Sequence, residues 1–235
     1  MKQAVVTGGA SPEGIGWATA VALAEDGHEV IVTGVSSSEL ERTPRHPDIR
    51  GVVLDVTDTD AVDGLFAGLN RLDVLVNCAG MADPSREFTP DGFARTVDVN
   101  LTGSLRCCAA ARPLLQAAKG SIVNVASMYA IFGSPAAPGY AASKAGVVQL
   151  TKSLAVAWAP EIRVNAVAPG WVVTGMAQAV FDDPVWSGAI KARTPIGRFG
   201  SPGDLADVIR FLASPAARFV TGVLLPVDGG YSCVG

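Results

Sequence analysis

Histidine is nearly missing from this sequence: there are 2 in 235 residues, His28 and His46, both in polar connecting stretches. A Ser-His-Asp arrangement would have to be built on one of them, and a histidine-rich metal site has too few ligands. Cysteine is scarce as well, and Cys78, Cys107, Cys108 and Cys233 form no Cys-x-x-Cys pair. That argues against a zinc finger or a disulfide framework, and the adjacent Cys107 and Cys108 read as buried helix filler. Charge is thin, at 17% of residues with a net charge of -4, and no basic run is present. The electrostatic footprint of a nucleic-acid binder is therefore lacking. No apolar run reaches the roughly 18–20 residues that cross a bilayer. Met1-Lys2-Gln3 leads directly into the strand-like Ala4-Val5-Val6-Thr7, without the apolar segment of a secretory signal. These absences predict a cytoplasmic protein with no metal, nucleic-acid or membrane partner.

What is present is apolar: 49% of residues are hydrophobic, enough for a large buried core, and glycine is frequent, at 26 residues. Short β-rich runs alternate with longer helical patterns. Strands are expected at 4–7, 29–33, 51–54, 74–77, 121–126, 163–168 and 222–227, several of them apolar on both faces. That is the mark of parallel strands covered on two sides. Helices are expected at 15–26, 60–69, 91–118, 141–159 and 202–213. The strand–helix alternation predicts a single α/β domain over residues 1–235, a doubly wound (Rossmann-type), mainly parallel seven-stranded sheet with helices on both faces. Residues 35–49 read as a short loop in the place of a helix. Residues 170–200 do not fit the sheet; with Trp171, Phe181, Trp186 and Phe199, they read as a cover over a site at a strand end.

Thr7-Gly8-Gly9-Ala10-Ser11-Pro12-Glu13-Gly14-Ile15-Gly16 joins the first strand to the first helix. A side chain here would block a diphosphate, and the helix N-terminus offers unpaired N–H groups and partial positive charge. The acid that would bind a ribose 2′-hydroxyl is expected at the end of the second strand, where Gly34 stands instead. Neither arginine nor lysine stands there, Glu13 would repel a 2′-phosphate, and Ser36 and Ser37 could donate hydrogen bonds to one. The cofactor is thus NAD or NADP, with a slight lean to NADP from the missing acid.

Tyr140 and Lys144 are four apart at a helix start and share a face. A cation there favours the phenolate and makes the tyrosine a better acid/base near neutral pH. Ser127 follows the fifth strand, at the edge where doubly wound sheets bind ligands. Asn100 falls within the long fourth helical pattern.

Taken in order, Thr7-Gly8 through Gly16, Asp55-Val56, Asn77-Cys78-Ala79-Gly80, Asn100, Ser127, Tyr140 with Lys144, Pro169-Gly170 with Thr174, and Val227-Asp228-Gly229-Gly230 resemble the short-chain dehydrogenase/reductase family over nearly the whole chain. The resemblance implies a hydride-transferring oxidoreductase acting on the carbonyl or secondary alcohol of a small substrate, and the mainly apolar candidate contacts named below suggest a largely apolar one. Tyr140 would be the acid/base, Lys144 would lower its pKa and bind the nicotinamide ribose, Ser127 would polarise the carbonyl, and Asn100 would hold a relay water. Gly8, Ser11, Gly14, Ile15 and Gly16 would cradle the cofactor, with Gly34 and Ser36 beside its ribose and Asp55 and Val56 beside its adenine. Asn77, Ala79 and Gly80 would line it, and Pro169, Gly170, Val172 and Thr174 would meet its nicotinamide end. Met81, Met128, Ile131, Trp171, Phe181 and Trp186 are the candidate substrate contacts. The resemblance also implies a homo-oligomer, a tetramer. Two alternatives stand beside this reading: a 3-oxoacyl carrier-protein reductase, which needs a basic patch at the entrance for which Arg106, Arg112 and Lys119 are candidates, and a catalytically silent dinucleotide-binding regulator. Against the family pattern, the glycine turn is two residues longer, Cys78 replaces a frequent asparagine, and the stretch after the second strand is shorter.

Overall fold

The computed structural model describes residues 1–234, with the side chain of residue 179 left aside. Seven strands form one sheet: β1 (Lys2–Thr7), β2 (His28–Gly34), β3 (Ile49–Val53), β4 (Val74–Asn77), β5 (Ser121–Val125), β6 (Arg163–Pro169) and β7 (Leu224–Val227). Their order is β3-β2-β1-β4-β5-β6-β7, and every pairing is parallel. Each expected strand is present, with ends shifted by up to two residues.

Alternation along the strands sorts their side chains onto two faces, because successive residues point to opposite sides of a pleated sheet. Val5, Ile31, Leu75, Ile122 and Val164 pack on one face against α3 (Thr59–Ala67), α5 (Gly103–Ala118) and α6 (Pro138–Trp158), with Phe66, Cys107, Cys108 and Leu115 buried among them. Ala4, Val6, Val30, Val32, Val76 and Val123 pack on the other face, against α1 (Ile15–Glu25) and α9 (Pro202–Ala213). The α1 side is lined by small residues, Ala20 and Ala24, which let the helix lie close to the strands that follow and precede the glycine turn.

Two helical expectations change. The predicted helix 91–118 is one rod whose hydrogen-bond register slips. It runs as α4 (Pro90–Val97), a π-helical turn Asp98–Thr102 and then α5, with the N–H of Gly103 donating to Asp98 O. The loop expected at 35–49 contains a five-residue helix, α2 (Ser37–Glu41), with no buried residue. Its N-cap is Ser36, whose hydroxyl accepts from Glu39 N, so a local polar bond and not an apolar stripe defines it. Residues 170–200 hold a 3-10 turn Gly175–Ala177, α7 (Gln178–Phe181) and α8 (Pro184–Arg193).

Candidate active site

Thr7 and Asn77 are paired neighbours at the carboxyl ends of β1 and β4. Chain order reverses there, which opens a crevice above the sheet. Thr7 Oγ1 accepts from the N–H groups of Cys78 and Ala79, both at 3.2 Å, and so stitches the two strand ends together. Gly8 has φ +66°, and a Cβ on it would lie 2.6 Å from Ala79 Cα. A Cβ on Gly16 would lie 2.8 Å from Gly8 O and from Gly9 Cα. Gly14, at the cap position of α1, provides no side-chain acceptor, and the first turn holds no acid. The turn thus keeps a bare backbone concavity at an uncapped helix N-terminus, which fits the diphosphate of a dinucleotide.

The second half of the site lies at the carboxyl ends of β4 and β5. Asn100 is fully buried in the π turn; its Oδ1 accepts from Met81 N at 2.8 Å, and its Nδ2 donates to Met81 O at 2.9 Å and to Ser143 Oγ at 3.0 Å. Ser143 Oγ donates in turn to Tyr140 O at 2.8 Å. The main-chain carbonyl of Asn100 accepts from Ser104 Oγ at 2.7 Å. Lys144 is buried, lies 5.6 Å from the centre of the Tyr140 ring, and donates to Val125 O at 2.7 Å. A Cβ on Gly80 would sit 3.3 Å from Asn100 Oδ1 and 3.4 Å from Lys144 Nζ, so glycine is the residue that fits between them. Ser127 caps the 3-10 turn Met128–Ala130, its hydroxyl accepting from Tyr129 N. The structure therefore brings Asn100, Ser127, Tyr140 and Lys144 together.

Electrostatically, burial governs both titrating groups. It pushes the Tyr140 hydroxyl up to about 12, with the Ser127 hydroxyl pulling the other way, and it pushes Lys144 down to about 8. The expected depression of Tyr140 by Lys144 is not seen: the Lys144 ammonium is turned onto a backbone carbonyl, and the group that lowers Tyr140 is the Ser127 hydroxyl. Cys78 is pushed up to about 11 by the same desolvation, which favours the thiol over the thiolate.

Asn77, expected to line a cofactor, is 3% exposed and turned inward: its Nδ2 donates to Asn124 Oδ1 at 2.9 Å and to Cys108 Sγ at 3.2 Å. Asn124 continues the chain to Thr151, so Asn77 ties β4 to β5 and the helices beneath. Ser36 is occupied as the cap of α2. Asp55 is exposed, with Oδ1 accepting from both Thr57 N and Oγ1, while Val56 is buried. Pro169 closes β6. Gly170 packs on Asp228, where a Cβ would lie 2.7 Å away, and Val172 is buried in a bridge to Gly200. Thr174 precedes the turn at Gly175–Ala177.

Of the substrate candidates, Trp171 stands at the site. Its ring is 6.2 Å from that of Tyr129, which is itself 6.4 Å from Tyr140, and its buried Nε1 has no partner among the described residues. Met81 touches Asn100 through its backbone, Met128 is buried, and Ile131 is 48% exposed. Phe181 instead pairs with Phe199 at 4.6 Å, and Trp186 is 56% exposed on α8. The basic candidates do not gather at the entrance. Lys119 caps the far end of α5, and Arg112 stacks on Trp158 at the far end of α6, both ends leading into strand starts. Arg106 pairs with Asp98 at 2.9 Å.

Sequence reasoning missed Tyr129, Ser143 and Glu87. Glu87 is 1% exposed in the loop before α4. Its Oε2 accepts from Tyr140 N at 2.8 Å and its Oε1 from Asp83 N at 2.8 Å and Thr96 Oγ1 at 3.2 Å. α6 has no side-chain cap of its own, so a carboxylate more than 50 residues upstream serves its first turn and fixes the backbone of Tyr140.

A family model described as Enoyl-(Acyl carrier protein) reductase matches residues 8–232. A cis-4-hydroxycyclohexanecarboxylate dehydrogenase from Sinomonas cyclohexanicum is 43% identical, over 98% of this chain and 96% of that one. A 3-oxoacyl-(acyl-carrier-protein) reductase FabG from Thermotoga maritima is 37% identical, over 97% of this chain and 97% of that one. The crystal structure of a gluconate 5-dehydrogenase from Burkholderia cenocepacia J2315 in complex with NADP and tartrate superposes with a TM-score of 0.89 at 31% identity, covering 100% of this chain and 96% of that chain.

Proposed function

The chain belongs to the short-chain dehydrogenase/reductase family and is an NAD(P)-dependent oxidoreductase of carbonyl and alcohol groups, and from that premise we propose that Tyr140 is its acid/base. The observation that carries this is the grouping of Tyr140, Ser127, Lys144 and Asn100 at one end of a crevice whose other end is the bare glycine turn. When bound, the dinucleotide supplies or accepts the hydride at its nicotinamide. Tyr140, protonated at neutral pH, donates its proton to the substrate oxygen in reduction and takes it back in oxidation. Ser127 holds that oxygen by a hydrogen bond. Lys144, anchored on Val125 O, sits below Tyr140 and positions the ribose, and Asn100 fixes the floor through Met81 and Ser143. Gly8, Ser11, Gly14, Ile15 and Gly16 receive the diphosphate, Asp55 and Val56 flank the adenine, and Ala79, Gly80, Pro169, Gly170, Val172 and Thr174 line the remainder.

The substrate is a small secondary alcohol or ketone with an apolar body beside the reacting carbon. Tyr129, Trp171 and Ile131 support this as the apolar wall, and Trp171 Nε1, unpartnered among the described residues, is the donor for one polar group on the substrate. Residues 170–200 act as the cover within the single domain. No described helix is long and apolar enough to cross a membrane; we assign the chain to the cytoplasm, as a homotetramer. Sedimentation checks the assembly.

The test is hydride transfer monitored at the nicotinamide absorbance on a panel containing cis-4-hydroxycyclohexanecarboxylate, gluconate, galactitol and a 3-oxoacyl thioester. Turnover of a compact hydroxy compound is expected. Turnover confined to the carrier-linked thioester would replace the proposed substrate class with the acyl-carrier reading.

A further inference from the structure

Two departures from the family pattern, the longer glycine turn and the missing acid at the end of β2, meet at one point. A Cβ on Gly34 would lie 2.7 Å from the Cβ of Ala10, in the lengthened turn, and 2.9 Å from Glu39 Oε2. Position 34 therefore has no room for a side chain, and the space that an acid there would enter already holds a carboxylate. That carboxylate arrives from α2, five residues further along the chain. Val35 N donates to Glu39 Oε2 at 3.0 Å. Glu39 N donates to Ser36 Oγ at 3.3 Å, and Thr43 Oγ1 donates to Ala10 O at 2.8 Å and to Glu39 O at 3.3 Å. The glycine turn, the end of β2 and α2 are thus bonded to one another around Glu39, which is half-buried. Its second oxygen, Oε1, makes no hydrogen bond among the described residues, which leaves an acceptor free at the strand end.

We propose that Glu39 is the specificity-determining residue for the cofactor: its carboxylate accepts from the ribose 2′-hydroxyl of NAD(H) and excludes the 2′-phosphate of NADP(H). This rests on the dinucleotide-binding reading above. A carboxylate satisfies a hydroxyl donor, whereas a phosphate in its place meets like charge at contact distance, and Glu13 in the turn adds to the repulsion. Arg42, exposed at the C-terminal cap of α2, is the cation of this stretch that a 2′-phosphate would recruit.

NADH and NADPH are titrated separately into the wild-type protein, Glu39→Gln and Glu39→Ala at one fixed ionic strength. Tryptophan fluorescence reports the dissociation constants, and circular dichroism checks the fold. Glu39→Gln keeps the side-chain volume and an oxygen for Val35 N, and so tests charge alone. The wild type is expected to bind NADH about tenfold or more tighter than NADPH, the scale of one charge-assisted hydrogen bond. Both variants should reduce that preference about tenfold, with NADPH affinity rising in absolute terms. A wild type that prefers NADPH overturns the proposal. So does an NADH-to-NADPH ratio unchanged in both variants, or a parallel loss of both affinities, the result of a merely structural role. Failure of the wild type to bind either dinucleotide would overturn the cofactor reading itself.

Discussion

The two ends of the crevice are built by opposite means. At the catalytic end, Asn100, Ser127 and Lys144 are buried, at 0%, 5% and 4% exposure, and they sit on strand ends and long helices joined by internal hydrogen bonds. At the adenosine end, the work falls to a five-residue helix without a buried residue and to a half-buried glutamate. Where the scaffold is rigid and buried, a role belongs to one sequence position, because no other backbone point reaches the same place. Where it is a short polar connection, the role can move along the chain so long as the carboxylate returns to the same space.

The sharpest way to break this contrast is Tyr140→Phe. It keeps the ring against Tyr129 and removes the proton donor, so kcat should fall about 10²–10⁴-fold, with dinucleotide affinity held by a direct binding titration. Undiminished turnover would remove Tyr140 from the mechanism.

The next effect is a pH dependence confined to the buried end. Lys144 titrates at about 8 in the folded protein against 10.5 in the unfolded chain. Between those values the unfolded state binds the extra proton, so this group makes folding more favourable as pH rises from about 8. The gain approaches about 3 kcal/mol in the limit. Tyr140 runs the other way above 10, since the folded state keeps its proton up to about 12. Urea denaturation of the wild type and Lys144→Met from pH 7 to 10 should show a rise in the wild type that the variant lacks. Parallel curves would remove the burial of that ammonium from the account.

Glu87→Ala should cost about 2 kcal/mol of stability, because the N–H groups of Tyr140 and Asp83 lose their acceptor in the interior. It should also lower kcat while leaving NADH affinity unchanged, and Glu87→Gln should restore part of both. At the adenosine end, Ser36→Ala removes the cap of α2 and should cost about 1 kcal/mol or less. If Ser36→Ala proved as damaging as Glu87→Ala by denaturation, the two ends would be equally rigid and the contrast would fail.

The sheet was legible because its signal is redundant: the strands repeat the same alternation of apolar side chains onto two covered faces, and a slip of one residue would reverse those of the slipped strand. The grouping of Tyr140 with Lys144 was legible because a spacing of four along α6 is fixed, and that of Ser127 because it follows the end of β5. What was not legible depends on contacts between distant segments. Glu87 reads in sequence as one more solvated charge, and only the approach of its loop to the start of α6 makes it a buried cap. Asn77 sits at a strand end where either face is available, and its inward turn depends on Asn124 on the neighbouring strand. Glu39 is legible only once the lengthened turn has filled the space beside Gly34. The register slip at Asp98–Thr102 leaves the apolar pattern continuous, so periodicity saw one helix.

That slip has a mechanical meaning. Each residue of a helix advances about 100° around the axis, so one surplus residue in a turn resets the phase between the segments before and after it. α5 is keyed to the sheet through Cys107, Cys108, Ala111 and Leu115, while α4 lies along α6 near its first turn, which holds Tyr140. The π turn acts as a coupling between two shafts set at different angles, and Asn100 occupies the joint. Removing one residue from 98–102 would lock both segments to a single phase. One of them would then have to leave its seat, and the joint would no longer present Asn100 to Met81 and Ser143.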